Sequence, residues 1–310
     1  MFDLLISGII YGSIITLGAI GLTLMADILG FFNFSYGEYF SLGAYCTLLF
    51  LGILPQWGTF PELSFGWSML LAILFSMVLT ILVMLLADKF FFKKLRAMGA
   101  TPLFLALASL GLSFMLRALI YIAWGPEVRY YTSTIQMSLE LPLGIFIKAD
   151  EIFIFFSAMA LVMLVYIFLN KTKMGKAMRA MSCNLTLAKA SGIQTGKVIA
   201  WTWIISGILV SVAGTLYAIA VQLRPDMGWT FLIPLFVAVI MGGIGSFWGA
   251  MVGGMTIGIT EELMSGLLQD LFFALDVNVD MSIYRPAIAF IFVVVILLFR
   301  PHGIFGKKGS

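Results

Sequence analysis

Polar side chains that could bind a solute or an ion lie within long apolar stretches of this 310-residue chain. The first group is Asn33-Phe34-Ser35-Tyr36-Gly37-Glu38. A carboxylate in hydrocarbon costs about 3 kcal/mol or more unless it is paired or hydrated, so Glu38 is expected to have a specific role. Helical rise counted from Asp27 places Glu38 ~16 Å into the apolar layer. We predict that Asn33, Ser35, Tyr36 and Glu38 line a pathway or that Glu38 joins a buried pair. An interfacial Glu38 in contact with water is the alternative.

A second group is rich in glycine. The sequence Gly242-Gly243-Ile244-Gly245-Ser246 is followed by Gly249, Gly253, Gly254 and Gly258. Small residues four positions apart allow helices to approach closely, and this packing accounts for most of these glycines. The first cluster is denser than packing requires, and glycine suits a tight turn. We therefore predict that Gly242, Gly243, Gly245 and Ser246 belong to a pore-lining or gating turn.

The third group is basic. Six basic residues and no acidic residue occur between Lys171 and Lys197. Ala180, Asn184, Ala188 and Gly192 recur every four residues, which predicts one helix with a stripe of small side chains. Three methionines, Met174, Met178 and Met181, offer an adaptable apolar surface. We predict docking onto a soluble partner. A basic amphipathic helix on anionic lipid is the alternative.

The remaining chemistry-bearing residues do not form a catalytic set. His302 is the single histidine, and Cys46 and Cys183 are too few, and expected in the membrane or the cytoplasm, to indicate a disulfide. The chain contains no G-x-x-x-x-G-K-[ST] phosphate loop and no cluster of metal ligands. Glu261-Glu262 is expected at the membrane interface, and Arg117 is expected to extend outward to reach water. We predict that the chain is not an enzyme, has no cofactor or metal of its own and binds no nucleic acid.

The elements that carry these groups are apolar helices. The chain has 62% hydrophobic and 11% charged residues, whereas soluble domains carry about 25% charged residues. Each of five uncharged stretches is long enough to cross a hydrocarbon core of about 30 Å: Leu4–Ala26, Leu63–Ala87, Ala97–Leu116, Ile152–Asn170 and Val198–Leu223. We predict an all-α polytopic membrane bundle with about 8–9 spanning or re-entrant segments. Residues 1–310 would form one domain, with a cytoplasmic segment at 171–197.

Charge distribution predicts the topology. Thirteen of the eighteen basic residues lie after the third span, after the fifth span or at the C-terminus, and basic loops stay in the cytoplasm. This places the N-terminus outside and the C-terminus inside. The count requires Met227–Thr260 to enter the membrane and turn back near its middle. Near the start of the chain, Leu4–Ala26 would descend, Asp27 would mark the inner side and Ile28–Ile53 would climb back. The two hairpins are candidates for an internal repeat.

The three groups, in this order, resemble LivH/LivM-type permeases of branched-chain amino-acid ABC importers, and the LivH-like member more closely. The family pattern G-x-x-N-[FL]-[AS]-H-G-[ED] is similar to Gly30–Glu38, with Tyr36 in place of His. A G-G-x-G-S-x-x-G-A stretch is matched at Gly242–Ala250, and R-P-x-G-[IL]-F-G at Arg300–Gly306. The pattern G-x-A-x-R-A-x-x-x-N-x-x-x-A-x-x-x-G-I resembles the segment that couples to the ATPase, here with Gly175, Ala177, Met178, Arg179, Asn184, Ala188, Gly192 and Ile193.

The resemblance implies a complex in the cytoplasmic membrane. Its other members would be a second related permease, two cytoplasmic ATPases that use ATP and Mg, and an extracytoplasmic solute-binding protein. The expected function is import of branched-chain amino acids by alternating access. Urea or short amides are alternative substrates. An ion-coupled secondary transporter using Glu38 or Glu261 is an alternative of another class, and an intramembrane enzyme is disfavoured.

Overall fold

The computed structural model describes residues 2–55, 58, 63–132, 139–141, 145–274, 284–299 and 303–305. These residues form a helical bundle, as predicted, with one short antiparallel hairpin in which Leu139 pairs with Ile147. The helices are α1 (Phe2–Leu29), α2 (Tyr36–Ile53), α3 (Trp67–Ala87), α4 (Lys93–Ala97), α5 (Pro102–Trp124), α6 (Ala149–Lys171), α7 (Lys173–Cys183), α8 (Leu185–Ala190), α9 (Thr195–Ala220), α10 (Met227–Gly242), α11 (Phe247–Ala274) and α12 (Arg285–Phe299). A π-helical segment, Asp88–Phe92, joins α3 to α4, and the strands are β1 (Leu139–Leu141) and β2 (Ile145–Ile147).

Within the described residues, five helices, α1, α3, α5, α6 and α9, are long and apolar enough to cross a membrane. They correspond to the five predicted stretches, with one correction. The stretch predicted as Ala97–Leu116 is not one helix, because α4 ends at Ala97 and α5 begins at Pro102. Proline favours the first helical position, and the Thr101 hydroxyl caps the helix by accepting a hydrogen bond from the Phe104 amide at 3.4 Å.

The core lies where α1 and α9 run between the other helices, and α3, α5 and α6 lie at the periphery with most of their surface exposed. Small residues bring α11 onto α1. A Cβ added at Gly258 would collide with the backbone of Gly12, and one at Gly254 would meet Thr16. The small-xxx-small spacing therefore serves close helix packing, as the sequence predicts.

The second predicted hairpin is present, whereas the first contains a break, and its helices α1 and α2 both pack against α9 rather than against each other. Helix α1 ends at Leu29, residues 30–35 are not α-helical, and α2 begins at Tyr36. The helical count that placed Glu38 directly above Asp27 is therefore wrong in its geometry. The second hairpin turns after α10, where Gly243 and Gly245 have φ angles of 99° and 80°. Met227–Thr260 thus turns back at the predicted glycines.

Helices α2 and α10 cross at Gly37 and Gly228, where a Cβ on either residue would collide with the other's carbonyl oxygen. Gly37→Ala is expected to destabilise the bundle by about 1–3 kcal/mol through overpacking. The matched control is Gly111→Ala, since a Cβ at Gly111 meets nothing within 4 Å. Thermal stability of the purified chain in detergent compares the two variants. Equal stability of both variants would contradict a tight crossing.

Candidate functional site

Glu38 forms a buried ion pair. It lies in the first turn of α2 with no exposed surface, and its Oε1 accepts hydrogen bonds from Nε of Arg117 at 3.0 Å and Nη2 at 2.5 Å. The Ser113 hydroxyl lies 3.4 Å from the same oxygen. The expectation that Arg117 extends outward to water is wrong, because its side chain is held by Glu38 and is only 19% exposed. A counter-ion across the helix interface offsets the cost of both charges.

One face of α5 positions this pair. Ser109, Ser113 and Arg117 recur every four residues and therefore point in one direction. Ser109 accepts a hydrogen bond from the amide of Phe34 at 2.9 Å, so the non-helical segment 30–35 is fastened to the same face. This polar stripe was not predicted from the sequence. Its signal was the four-residue spacing of polar residues on an otherwise apolar helix.

Helix α10 contributes an aromatic ring to the surroundings of the Arg117 guanidinium. The ring of Trp229 lies 4.6 Å from the Arg117 guanidinium carbon and that of Phe114 lies 5.8 Å away. Aromatic faces attract a cation through their quadrupole, so both rings stabilise the guanidinium. The ion pair is thus fixed in position, borders two aromatic rings and keeps one carboxylate oxygen, Oε2 of Glu38, without a hydrogen-bond partner among the described residues.

The other polar residues of the first group are buried inside the bundle. Oδ1 of Asn33 accepts hydrogen bonds from the Ser35 amide at 3.1 Å and hydroxyl at 2.6 Å, and both residues have no exposed surface. The Tyr36 hydroxyl lies 3.4 Å from the carbonyl oxygen of Ser206 on α9. These contacts fix the entry into α2. Their role in a pathway stays a prediction.

The glycine-rich turn lies at the opposite end of α10. The Gly245 amide donates to the Thr23 hydroxyl at 3.0 Å, and the Ser246 hydroxyl caps α11 by accepting from the Gly249 amide at 3.0 Å. Gly242 lies fourteen positions after Gly228 in α10, or about 21 Å along the helix. The structure therefore does not bring Gly242, Gly243, Gly245 and Ser246 together with Glu38. A pore-lining role for this turn stays a prediction.

Part of the C-terminal motif packs on this turn. The amides of Ile304 and Phe305 donate to the carbonyl oxygens of Met241 at 2.8 Å and Gly242 at 3.1 Å. Two motifs that are far apart in sequence thus form one junction at the end of α10. The other residues of the motif, Arg300, Pro301, His302 and Gly306, lie outside the described residues.

The basic segment forms two helices rather than one. Helix α7 ends at Cys183, and the Asn184 side chain caps α8 by accepting from the Leu187 amide at 2.9 Å. Asparagine favours this position because its side chain replaces the missing helical partner. After α8, Gly192 adopts a φ of 81°. The predicted single stripe through Ala180, Asn184, Ala188 and Gly192 is therefore wrong.

The predicted coupling residues divide into an anchoring set and an exposed set. Gly175, Met178 and Ala188 are buried, and a Cβ at Gly175 would collide with the backbone of Leu169 at the end of α6. Ala177 and Ile193 are half-buried, whereas Arg179, Asn184 and Gly192 are exposed. The methionine surface predicted for docking instead packs inward, since Met178 and Met181 are only 2% and 4% exposed. Leu185 and Leu187 are the exposed apolar residues of α8, at 46% and 66%.

The comparison with known families agrees with the motifs and the helical bundle. Residues 4–300 match the family described as the permease component of branched-chain amino acid transport systems. The chain belongs to this permease family. The resemblance predicted from its sequence motifs is thereby confirmed.

Two relatives are similar to this chain over almost its whole length. It is 28% identical to the high-affinity branched-chain amino acid permease BraD of Pseudomonas aeruginosa, over 98% of this chain and 95% of BraD. It is 31% identical to the branched-chain amino acid permease LivH of Methanocaldococcus jannaschii, over 96% of this chain and 90% of LivH. A solved structure described as a metal-chelate type ABC transporter in an inward-facing conformation covers 96% of this chain and 85% of its own, with a TM-score of 0.50 and 15% identity. That likeness concerns the fold alone.

The permease holds a second, largely buried ion pair at Glu262 and Arg285, whose charged atoms are 2.7 Å apart. The neighbouring Glu261 has no exposed surface, and neither of its carboxylate oxygens has a hydrogen-bond partner within the described part of the chain. The placement of both glutamates at the membrane interface stays a prediction, but Glu261 is enclosed within the bundle. The reason is the close packing of α11 against α1, which encloses this side of α11.

Proposed function

We propose that this permease translocates branched-chain amino acids by alternating access driven by partner ATPases. The observation that carries the proposal is the element formed by α7 and α8. Its exposed residues include two large apolar side chains, Leu185 and Leu187, and four basic ones, Lys173, Lys176, Arg179 and Lys189. Protein docking surfaces combine an apolar core with a polar rim, and this element exposes residues of both kinds.

The anchoring of α7 supports transmission of movement. Met178 and Met181 are packed in the core, and α7 touches α6, α9 and α1. A displacement of α7–α8 by a partner would therefore act on three helices of the bundle. A lipid-bound helix would need its apolar face free. Here the methionine face is already occupied, which favours a protein partner.

The proposed complex contains a second related permease, two ATPase subunits that bind ATP and Mg, and an extracytoplasmic solute-binding protein. The basic α4 and α7–α8 face the cytoplasm in this proposal, as the positive-inside rule predicts. The N-terminus is then outside and the C-terminus inside. The binding protein docks on the outer loops 125–151 and 269–284, of which residues 133–138, 142–144 and 275–283 lie outside the described residues.

Affinity purification of the tagged permease from detergent-solubilised membranes tests the class of transporter. We expect a second permease and phosphate-loop ATPases to be recovered with it. Vanadate should then stop uptake of L-leucine into proteoliposomes, whereas an uncoupler should have little effect. Recovery of the permease alone, together with leucine uptake that is independent of ATP, would refute the proposal.

Glu261 favours a second candidate, an ion-coupled transporter, because its buried carboxylate lacks a partner among the described residues. That candidate predicts uptake abolished by an uncoupler and unchanged by vanadate. Glu38 does not support it equally, because Arg117 already neutralises Glu38. Urea or short amides remain the alternative cargo, tested by competition against leucine uptake.

Docking variants of the α7–α8 element test the coupling role. Arg179→Glu and Leu187→Glu are each expected to lower leucine uptake about tenfold or more, the effect of a charge in a docking surface. Expression should be unchanged because both side chains are exposed. Lys94→Glu on α4 is the matched control, since it reverses an exposed charge at the same end of the bundle. Normal uptake by both docking variants would exclude this surface.

A further inference from the structure

One exposed strip of the bundle differs from its other apolar faces. It consists of Phe114 and Arg117 of α5 with Trp229, Thr230 and Ile233 of α10, and we call it the Arg117 surface. Phe114, Trp229 and Ile233 are 54%, 37% and 39% exposed. Arg117 lies fifteen residues after Pro102 and seven before Trp124, or about 22 Å and 10 Å along the helix. The Arg117 side chain, 19% exposed, therefore borders the surface of the bundle part-way along α5.

The exposed faces of α3 and α6 carry only apolar residues at comparable depth. On α3 these include Val78 and Leu82, and on α6 Phe156 and Leu164. Such faces suit lipid. A guanidinium at the boundary with hydrocarbon would be costly, and charged residues in spans usually face a bundle interior or a water-filled cavity. The Arg117 surface thus borders water or protein during transport.

The guanidinium on this surface is fixed in place and only partly used. Nε and Nη2 of Arg117 both bond to one oxygen of Glu38, whereas Nη1 donates no hydrogen bond among the described residues. A guanidinium nitrogen held rigidly beside aromatic rings is suited to a carboxylate ligand. Exposed Phe114 and Trp229 offer an apolar wall for an aliphatic group.

An acidic group lies close by for an ammonium. Asp226 precedes α10, and its carboxylate, 37% exposed, forms a salt bridge with Nε of Arg224 at 3.3 Å. Both side chains of this pair are exposed, so a ligand ammonium can exchange with Arg224 at small cost. Asp226 also interacts electrostatically with Glu38. The arrangement thus contains a cation for a carboxylate, an anion for an ammonium and an apolar wall between helices. These groups are complementary to the carboxylate, the ammonium and the apolar side chain of an aliphatic zwitterion.

We propose that the Arg117 surface lines the translocation pathway and binds the α-carboxylate of the amino acid through Nη1 of Arg117. The ammonium is then directed to Asp226, and the side chain packs on Phe114 and Trp229. The inference rests on the proposed function. It identifies where the permease, rather than the binding protein, contacts its cargo.

The decisive variant is Glu38→Gln combined with Arg117→Gln, tested in the complete importer in proteoliposomes. Removing both charges leaves no unpaired ion, so assembly and ATP hydrolysis stimulated by loaded binding protein should persist. Uptake of L-leucine should fall about tenfold or more, as expected for losing a hydrogen bond to a charged group. The matched control is Glu262→Gln with Arg285→Gln, which removes the second buried pair and should keep uptake within about twofold.

Uptake by the Glu38→Gln, Arg117→Gln double variant equal to that of the unaltered importer would overturn the proposal and leave a purely structural pair. If the unaltered complex shows no ATP-dependent uptake, the proposed function itself fails. The two failures are therefore distinguishable. A second measurement decides the case in which the double variant does not assemble.

That measurement leaves the ion pair intact. Thr230→Cys, in a chain whose exposed Cys183 is replaced by Ser, should react with a membrane-impermeant thiosulfonate reagent. The control is Val78→Cys on α3, 66% exposed and expected to face lipid, which should not react. L-leucine should slow the labelling of Thr230→Cys, whereas leucinol, which lacks the carboxylate, should not. Absence of labelling in every nucleotide state, or equal protection by both compounds, would overturn the assignment.

Discussion

Replacing Glu38 by Ala is expected to cost the folded permease about 3–5 kcal/mol, because it leaves the Arg117 charge without its counter-ion. The pair is enclosed, with side-chain exposures of 1% for Glu38 and 19% for Arg117. Trp229 and Phe114 cannot replace a carboxylate, since a cation–π contact contributes only about 0.5–2 kcal/mol. The measurement is the fraction of permease that stays monodisperse in detergent after heating, compared with the unaltered chain.

Glu127→Ala provides the matched control for Glu38→Ala. Glu127 is exposed, so its replacement should change stability by less than about 0.5 kcal/mol. The double variant that combines Glu38→Gln with Arg117→Gln should recover most of the stability that Glu38→Ala loses. If Glu38→Ala and Glu127→Ala behave alike, Arg117 must find another partner and the pair has no structural importance.

The spans and the second turn could be predicted because their signals are local. An uncharged stretch such as Val198–Leu223 has the length of a crossing, and α9 occupies Thr195–Ala220. The glycines at 242–245 predict a turn because positive φ angles favour glycine. Gly243 and Gly245 adopt such angles. Hydropathy and backbone preference suffice in both cases.

The Glu38 partner could not be predicted by the same means. Glu38 and Arg117 are 79 residues apart, and the distance between them depends on how α5 packs against α2. The break at residues 30–35 depends on the same packing, because Ser109 accepts the Phe34 amide that a continuous helix would have used. Only a search for polar residues at four-residue spacing on α5 would have indicated this face.

The division of the basic segment into α7 and α8 was locally predictable but was missed. Asn184 stands three residues before Leu187, whose amide it caps, and asparagine is among the most frequent capping residues. The four-residue recurrence of small residues suggested one helix instead. A capping residue inside a periodic pattern is the stronger signal. Its side chain accepts the hydrogen bond of a backbone amide that, in a continuous helix, would donate to a carbonyl oxygen of the preceding turn.

Two adjacent glutamates are expected to respond in opposite ways to the same substitution. Glu262→Gln should destabilise the permease by about 3 kcal/mol, because Arg285, 27% exposed, loses the carboxylate 2.7 Å away. Glu261→Gln should leave stability unchanged or raise it. It keeps the shape of the side chain and removes a carboxylate that has no hydrogen-bond partner among the described residues.

Heating series of the two variants in detergent, run beside the unaltered permease, measure this difference. The comparison is controlled by position, since both side chains belong to the same turn of α11 and undergo the same chemical change. Equal destabilisation would mean that both carboxylates share Arg285. Loss of leucine uptake in a fully stable Glu261→Gln variant would instead assign Glu261 to the transport cycle and strengthen the ion-coupled candidate, because stability alone gives no reason to retain an unpaired buried carboxylate.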